Sequence, residues 1–147
     1  MMYRSPIVPN TFIVPDILVT KNFILRPLTI DDVENDFKAV SEGVDKNGKL
    51  NTNRNLTLKQ NLIDLGYHQK EFQKRISFTY TVVNPEKNEC YGCVYIYPCS
   101  EKVFEAEVAF WVTRKAYEIG MQYDLDSAVR KWIKVKWPFK KVFYNVN

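Results

Sequence analysis

FEAEVAFWVTRKAYEIGMQYDLDSAVRKWIKVKWP, running from Phe104 to Pro138, decides the fold. Phe104, Ala106, Val108, Phe110 and Val112 alternate with Glu105, Glu107, Ala109 and Trp111, the period-two pattern of a strand. After a connecting loop, Leu125, Ala128, Val129, Trp132 and Ile133 recur at helical spacing over about Tyr123 to Lys136, and Trp137-Pro138 ends the helix. Phe139–Val146 follows as a last strand. Strand, helix, strand at this spacing is a right-handed crossover, so the two strands should be parallel. A loop that opens a helix in this way points backbone N–H groups outward, which suits a phosphate or another anion. Yet the loop has one glycine, Gly120, and the helix begins with Asp124 and Asp126, which oppose an anion. The frame of an anion site is present without its usual lining.

Upstream, residues 1–20 carry three prolines and read as an extended arm. Asn22–Leu28 is a first strand, and Thr29 with Asp32 makes a capping box that opens a helix with the stripe Ile30, Val33, Phe37, Val40. Residues 41–56 form a polar loop. A second cap at Thr57, with Gln60, starts a helix to about Arg75, its apolar face formed by Leu58, Leu62, Leu65 and Phe72. Gly66 weakens that helix from within. Ser77–Val83 and Cys90–Tyr97, joined by a turn at Asn84–Asn88, form an antiparallel hairpin. The element order is β-α-α-β-β-β-α-β: an α+β chain, a mixed sheet of about five strands with helices on both faces, in a single domain spanning 1–147.

Composition excludes several classes. Hydrophobic residues make up 46% and charged residues 26%, ordinary globular usage. No run approaches the ~18 apolar residues of a membrane span. Pro6, Pro9 and Pro15 break any signal-peptide centre. Three cysteines make no disulfide framework. A soluble cytoplasmic protein is the expectation. Cys90 and Cys93 have C-x-x-C spacing, but strand residues three apart point to opposite faces, so no metal or redox site is expected. The net charge of +4 is mild. Arg130, Lys131, Lys134, Lys136, Lys140 and Lys141 follow Asp126 with no further acid. They suit a helix C-terminus and a solvated surface better than nucleic acid.

Three segments resemble the GNAT superfamily of acyl-CoA-dependent N-acetyltransferases, in the branch that acetylates ribosomal-protein N-termini and related amines. They are FILRPLTIDD (Phe23–Asp32), YGCVYI (Tyr91–Ile96) and AEVAFWV (Ala106–Val112), the last preceding the coenzyme loop. The likeness covers about residues 20–145. It implies acetyl-CoA as cofactor and an amine of a small molecule or protein as acceptor. In that family the fourth and fifth strands splay, and the coenzyme's pantetheine arm pairs with the end of the fourth, here Trp111, Val112 and Thr113. The family's pyrophosphate loop, Q/R-x-x-G-x-G/A, falls on YEIGMQ (Tyr117–Gln122). Only Gly120 matches; Tyr117 and Gln122 depart from the pattern, and Glu118, Asp124 and Asp126 oppose a pyrophosphate, partly offset by Arg114 and Lys115.

The resemblance also implies the chemistry. Glu107 is the candidate base, directly or through water, with Glu105 its substitute on the same face. Tyr144, with Tyr95 and Tyr97, is a candidate acid. His68 and Tyr67 border the acceptor side. The family continues beyond the fifth strand with a further helix and hairpin, and this sequence stops at Asn147. An exposed last strand would favour pairing with a second copy. Two readings follow: a transferase, or a GNAT-like ligand-binding or interaction module without catalysis.

Overall fold

A computed structural model describes residues 4–51 and 55–146. Positions 1–3 of the expected arm, 52–54 of the expected 41–56 loop, and 147 lie outside the described residues. One mixed sheet holds β1 (Leu18–Val19), β2 (Ile24–Pro27), β3 (Gly43–Val44), β4 (Phe78–Val83), β5 (Cys90–Tyr97), β6 (Ala106–Thr113) and β7 (Val142–Tyr144). The strand order is β1-β2-β4-β5-β6-β3, with β7 also beside β6. Every pair is antiparallel except β6 and β7, which are parallel, as the crossover rule requires.

The helices are α1 (Val33–Ser41), α2 (Leu58–Gln73), α3 (Arg114–Glu118) and α4 (Met121–Lys136). Both capping boxes form: Asp32 accepts from the Thr29 N–H at 2.9 Å, and Gln60 accepts from the Thr57 N–H at 2.9 Å. α1 and α2 cover one face of the sheet and α4 the other. The core proper lies on the α4 side. There Phe78, Tyr80, Val82, Val94, Ile96, Val108 and Val112 pack against Leu125, Val129, Trp132 and Ile133. Trp137 closes this core at 5% exposure, with the rings of Phe78 and Trp132 centred 5.2 and 5.5 Å away.

Several expectations need correction. The described residues hold seven strands rather than about five, because two-residue β1 falls in the expected arm and two-residue β3 in the expected 41–56 loop. The loop expected after β6 is the one-turn helix α3 and a left-handed Gly120, at φ 81°. The α1 stripe is shifted: Ile30 is exposed, while Asp36, Ala39 and Val40 are buried. On α2, Leu58 and Leu62 are exposed, and Asn61, Leu65, His68 and Phe72 make the inward face at helical spacing. Gly66 does not interrupt α2.

Cys90 and Cys93 do not point to opposite faces as plain alternation expects. Between Val82 and Val83 the pairing of β4 with β5 slips: Gly92 pairs with Val82, but Cys90 pairs with Val83, and Tyr91 is skipped. One extra residue inverts the side-chain alternation. Cys90 and Cys93 therefore share the α1 face, where Cys93 donates to Asp36 Oδ1 at 3.4 Å. Among the described residues no group of His, Cys, Asp or Glu is arranged to hold a metal.

Candidate functional site

The chemistry-bearing side chains gather on the face under α1 and α2. A cleft of about 600 Å³ opens there, with Cys93 and Tyr95 of β5 as its floor and Asp36, Asn61, Asp64 and His68 on its walls. Asp36 is 3% exposed and accepts from Asn61 Nδ2 at 2.9 Å. Burial raises its pKa, partly opposed by the hydrogen bonds from Asn61 and Cys93. His68 Nδ1 lies 3.0 Å from the Thr79 hydroxyl, and Nε2 lies 3.3 Å from Asp64 Oδ2. The tautomer that satisfies both contacts has Thr79 donating to Nδ1 and a proton on Nε2 facing Asp64.

A row of aromatic side chains continues from the cleft across the same face. The Tyr95 ring lies 5.6 Å from His68 and stacks on Tyr97 at 5.4 Å. Its hydroxyl accepts from Trp111 Nε1 at 2.7 Å, and burial holds its pKa well above the usual phenol value. Tyr97 pairs with Glu107 across β5 and β6. Glu107 is thus at the far end of the row, in a shallow hollow with Tyr97, Pro98, Cys99, Ser100 and Arg4, and it accepts from Asn145 Nδ2 at 3.1 Å.

The three catalytic candidates do not converge. Glu105 is spent on structure: its carboxylate accepts the backbone N–H groups of Lys140 and Lys141 and so fixes the approach to β7. Tyr144 pairs with Val108, which puts it on the α4 face, opposite Glu107. There Arg130 lies 4.2 Å above its ring. Of the three, Glu107 is the one that lines a hollow beside Tyr97 at the end of the tyrosine row. His68 and Tyr67 do line the cleft. Asp36 is the residue the sequence reading missed. Its signal was the i, i+3, i+4 set Asp36, Ala39, Val40, which turns a carboxylate toward the sheet.

The candidate coenzyme residues lie at the C-terminal end of β6. β7 pairs only with Ala106, Glu107 and Val108, so the two strands part beyond that point. The gap is not open. Gly43 and Val44 of β3 pair with Thr113 and Val112 on the same edge, and Arg114 N–H donates to Glu42 O at 2.8 Å. Thr113 caps α3 by accepting from Ala116 N–H at 3.2 Å. Tyr117 and Gln122 both meet residues 46–48: Gln122 Nε2 donates to Lys46 O at 2.9 Å, and the Tyr117 ring lies against Gly48. Gly120 supplies the left-handed turn before α4. The Asp126 carboxylate is engaged by Arg130 Nε at 3.0 Å. With β3 in place, the backbone that a pantetheine arm would pair with is already paired. In this conformation the residues do not fit coenzyme A.

No family model matches the sequence, and no curated protein matches it by sequence. Solved structures match by shape. A protein from Vibrio cholerae classed as a ribosomal-protein-serine acetyltransferase superposes with a TM-score of 0.65 at 15% identity, over 82% of this chain and 68% of that one. A SpeG spermidine N-acetyltransferase chimera from Vibrio cholerae and hSSAT gives 0.61 at 12% identity, over 83% and 69%. The RimL alpha-N-protein acetyltransferase in complex with coenzyme A gives 0.55 at 12% identity, over 80% and 67%. The chain spans about two thirds of the length of these structures. At such identities the likeness is one of fold: the chain has the fold that these solved acetyltransferases share. Among the described residues no helix is long and apolar enough to cross a membrane.

Proposed function

We propose that the protein is an acyl-CoA-dependent N-acetyltransferase that binds its acceptor amine in the cleft between α1 and α2. The cleft carries this reading. A half-enclosed space of about 600 Å³ has a buried carboxyl, Asp36, a second acid, Asp64, and the aromatic rings of Tyr67 and Tyr95. Carboxylates and ring faces are what recognises an ammonium group. β6 alone separates the cleft floor on β5 from the edge where the fold's donor would lie. Support from the solved neighbours is at the level of fold. The acceptor class is an amine of a small molecule or of a protein N-terminus, the donor acetyl-CoA and the compartment the cytoplasm. Two copies would pair through the outer edge of β7.

The chain's own residues divide the work. Asp36 and Asp64 attract the ammonium, and Tyr67 and Tyr95 orient it. Glu107 takes the departing proton, through the polar row that Tyr97 and Tyr95 extend toward the cleft. Calorimetric titration of a polyamine such as spermidine tests the cleft. Asp36→Asn should weaken binding by about tenfold or more, the usual size of a lost hydrogen bond to a charged group. Unchanged affinity would remove the cleft from the account. Glu107→Gln should slow turnover while leaving coenzyme affinity within about twofold, because it removes a proton acceptor and no donor contact. Turnover equal to the wild type would reject Glu107 as base.

Asp36 also predicts a pH dependence. Burial raises its folded-state pKa above the unfolded value. The folded state therefore holds this proton more tightly. The stability this contributes is full below the ordinary carboxylate pKa of ~4 and is lost as pH rises through the folded value. Asp36→Asn should flatten the fall in stability over that window, measured by urea midpoints at a series of pH values. An unchanged slope would contradict it.

The second reading, a ligand-binding module without catalysis, is favoured by one observation: the chain's own β3 pairs with the coenzyme edge. Binding of a polyamine to wild type, with no acetyl-CoA binding under any condition, would establish it.

A further inference from the structure

Residues 43–51 form a hairpin shaped to the edge of β6. Asp45 N–H donates to Lys49 O at 2.8 Å and Asn51 N–H to Gly43 O at 3.0 Å, closing the two arms. The Asp45 carboxylate accepts from the N–H groups of Asn47 and Lys49 at 2.9 and 3.0 Å and holds the tip. Gly48 has φ 81°, and a Cβ there would lie 2.4 Å from the Tyr117 ring. Gly43 packs against the Trp111 indole less closely, where a Cβ would meet the ring at 3.2 Å. Val44 is 1% exposed. The two side chains that depart from the family's loop pattern, Tyr117 and Gln122, are the two that grip this hairpin.

That coincidence gives the departures a purpose that neither a degraded loop nor a simple helix cap supplies. A glycine or alanine at 122 could not reach the Lys46 carbonyl. A small or amide side chain at 117 would not offer Gly48 a flat ring. The glycine at 48 completes the fit from the other side, since any larger residue would collide with that ring. Yet the strap's ladder with β6 is only two residues long, and its tip is exposed. A segment with so few ladder bonds can leave without unfolding the sheet.

We propose that residues 43–51 are an internal strap that occupies the β6 edge in the free protein and competes with an extended, amide-bearing ligand, of which pantetheine is the type, for the backbone of Val112–Arg114. The proposal rests on the acyl-transfer reading for the identity of that ligand. It makes the structure the closed member of two states. The apparent affinity for the ligand is then the intrinsic affinity reduced by the fraction of molecules with the strap released. Tyr117 and Gln122 set that fraction, so they act as latch residues and not as phosphate ligands.

The test combines amide hydrogen exchange by NMR with coenzyme A titration, on the full chain. Asp45→Ala removes the carboxylate that holds the tip, and Gly48→Val forces the turn off Tyr117; both lie outside the two residues that pair with β6. In free wild type the amides of Val44, which pairs with Val112, and of Arg114, which donates to Glu42 O, should exchange slowly. Saturating coenzyme A should speed Val44, and both variants should bind coenzyme A about tenfold or more tightly than wild type. Coenzyme A bound to wild type with the Val44 amide still protected would overturn the strap and leave the transferase reading standing. Equal affinity in wild type and variants would also overturn the strap. No coenzyme A binding by any of the three proteins, with exchange showing the strap released in both variants, would overturn the competition and the donor part of the proposed function together.

Discussion

Gly92→Ala should cost the protein most of its stability. A Cβ at this position would lie 2.0 Å from the Trp111 carbonyl oxygen and 3.0 Å from the Val112 Cα. Both are backbone atoms of β6, in the middle of the sheet, and neither can rotate away. The only relief is to push β5 from β6, which breaks a six-pair ladder in the centre of the sheet. Overpacked cores usually lose ~1–3 kcal/mol, and a collision with fixed backbone belongs at or beyond the top of that range. For a domain of this size, 3 kcal/mol lowers the melting temperature by about 6–12 °C. Differential scanning calorimetry should show that drop or a chain recovered unfolded. A variant melting within about 2 °C of wild type would mean that β5 and β6 are not paired in this register.

Trp137→Ala should be nearly as damaging, and Trp137→Phe should not. Trp137 is 5% exposed, and its ring neighbours include Phe12, Phe78, Tyr80, Trp132 and Phe139. Truncation to alanine removes a shared wall of that cluster and should cost ~3–5 kcal/mol. The indole Nε1 is buried with no hydrogen-bond partner among the described residues. An unsatisfied buried donor carries a penalty of ~1–3 kcal/mol. Phenylalanine forfeits ring volume but removes that penalty, so its net cost should stay within about 1 kcal/mol by the same ranges. Urea denaturation of the pair decides the matter. A phenylalanine variant as unstable as alanine would show that the indole N–H has a partner and that the ring's value is polar.

Strong periodicity was legible in the sequence wherever one face is buried and the other is not. β6 alternates throughout, and α4 keeps one apolar stripe, so the crossover and its parallel pairing followed from Phe104–Tyr144 directly. The capping boxes at Thr29 and Thr57 were equally plain, because a cap is a local hydrogen-bond pattern three residues wide. Elements whose stability is wholly tertiary could not be read. β3 is two residues in a polar segment, and nothing around Gly43-Val44 announces a strand until β6 offers an edge. The slip beside Tyr91 is similar: a bulge leaves composition untouched and reverses the facing of Cys90.

The inward faces of α1 and α2 were misjudged for a related reason. Sequence reasoning assigns apolar residues to the inside, and so chose Ile30, Leu58 and Leu62. Those helices cover a sheet face that includes Thr79, Cys93 and Tyr95, where His68 meets Thr79 and Asp36 accepts from Cys93 and from Asn61 of α2. The hydrophobic core is on the other side of the sheet. Buried carboxyl, amide and imidazole groups are tolerated under the two helices because each has a hydrogen-bond partner. Tyr117 and Gln122 show the opposite lesson. They were visible in the sequence as departures from the coenzyme-loop pattern, and only the position of Lys46 and Gly48 shows what those side chains hold.

On the proposed reading, the cleft over β5 is the acceptor pocket, and the β6 edge that the strap covers is the donor edge. The central claim is that this arrangement serves acyl transfer. The most direct measurement is release of free coenzyme A thiol from acetyl-CoA, followed with and without spermidine, by wild type and by Asp45→Ala. The account predicts thiol release that depends on the amine and is faster with the strap loosened. Absence of amine-dependent release from either protein at millimolar acetyl-CoA would contradict it.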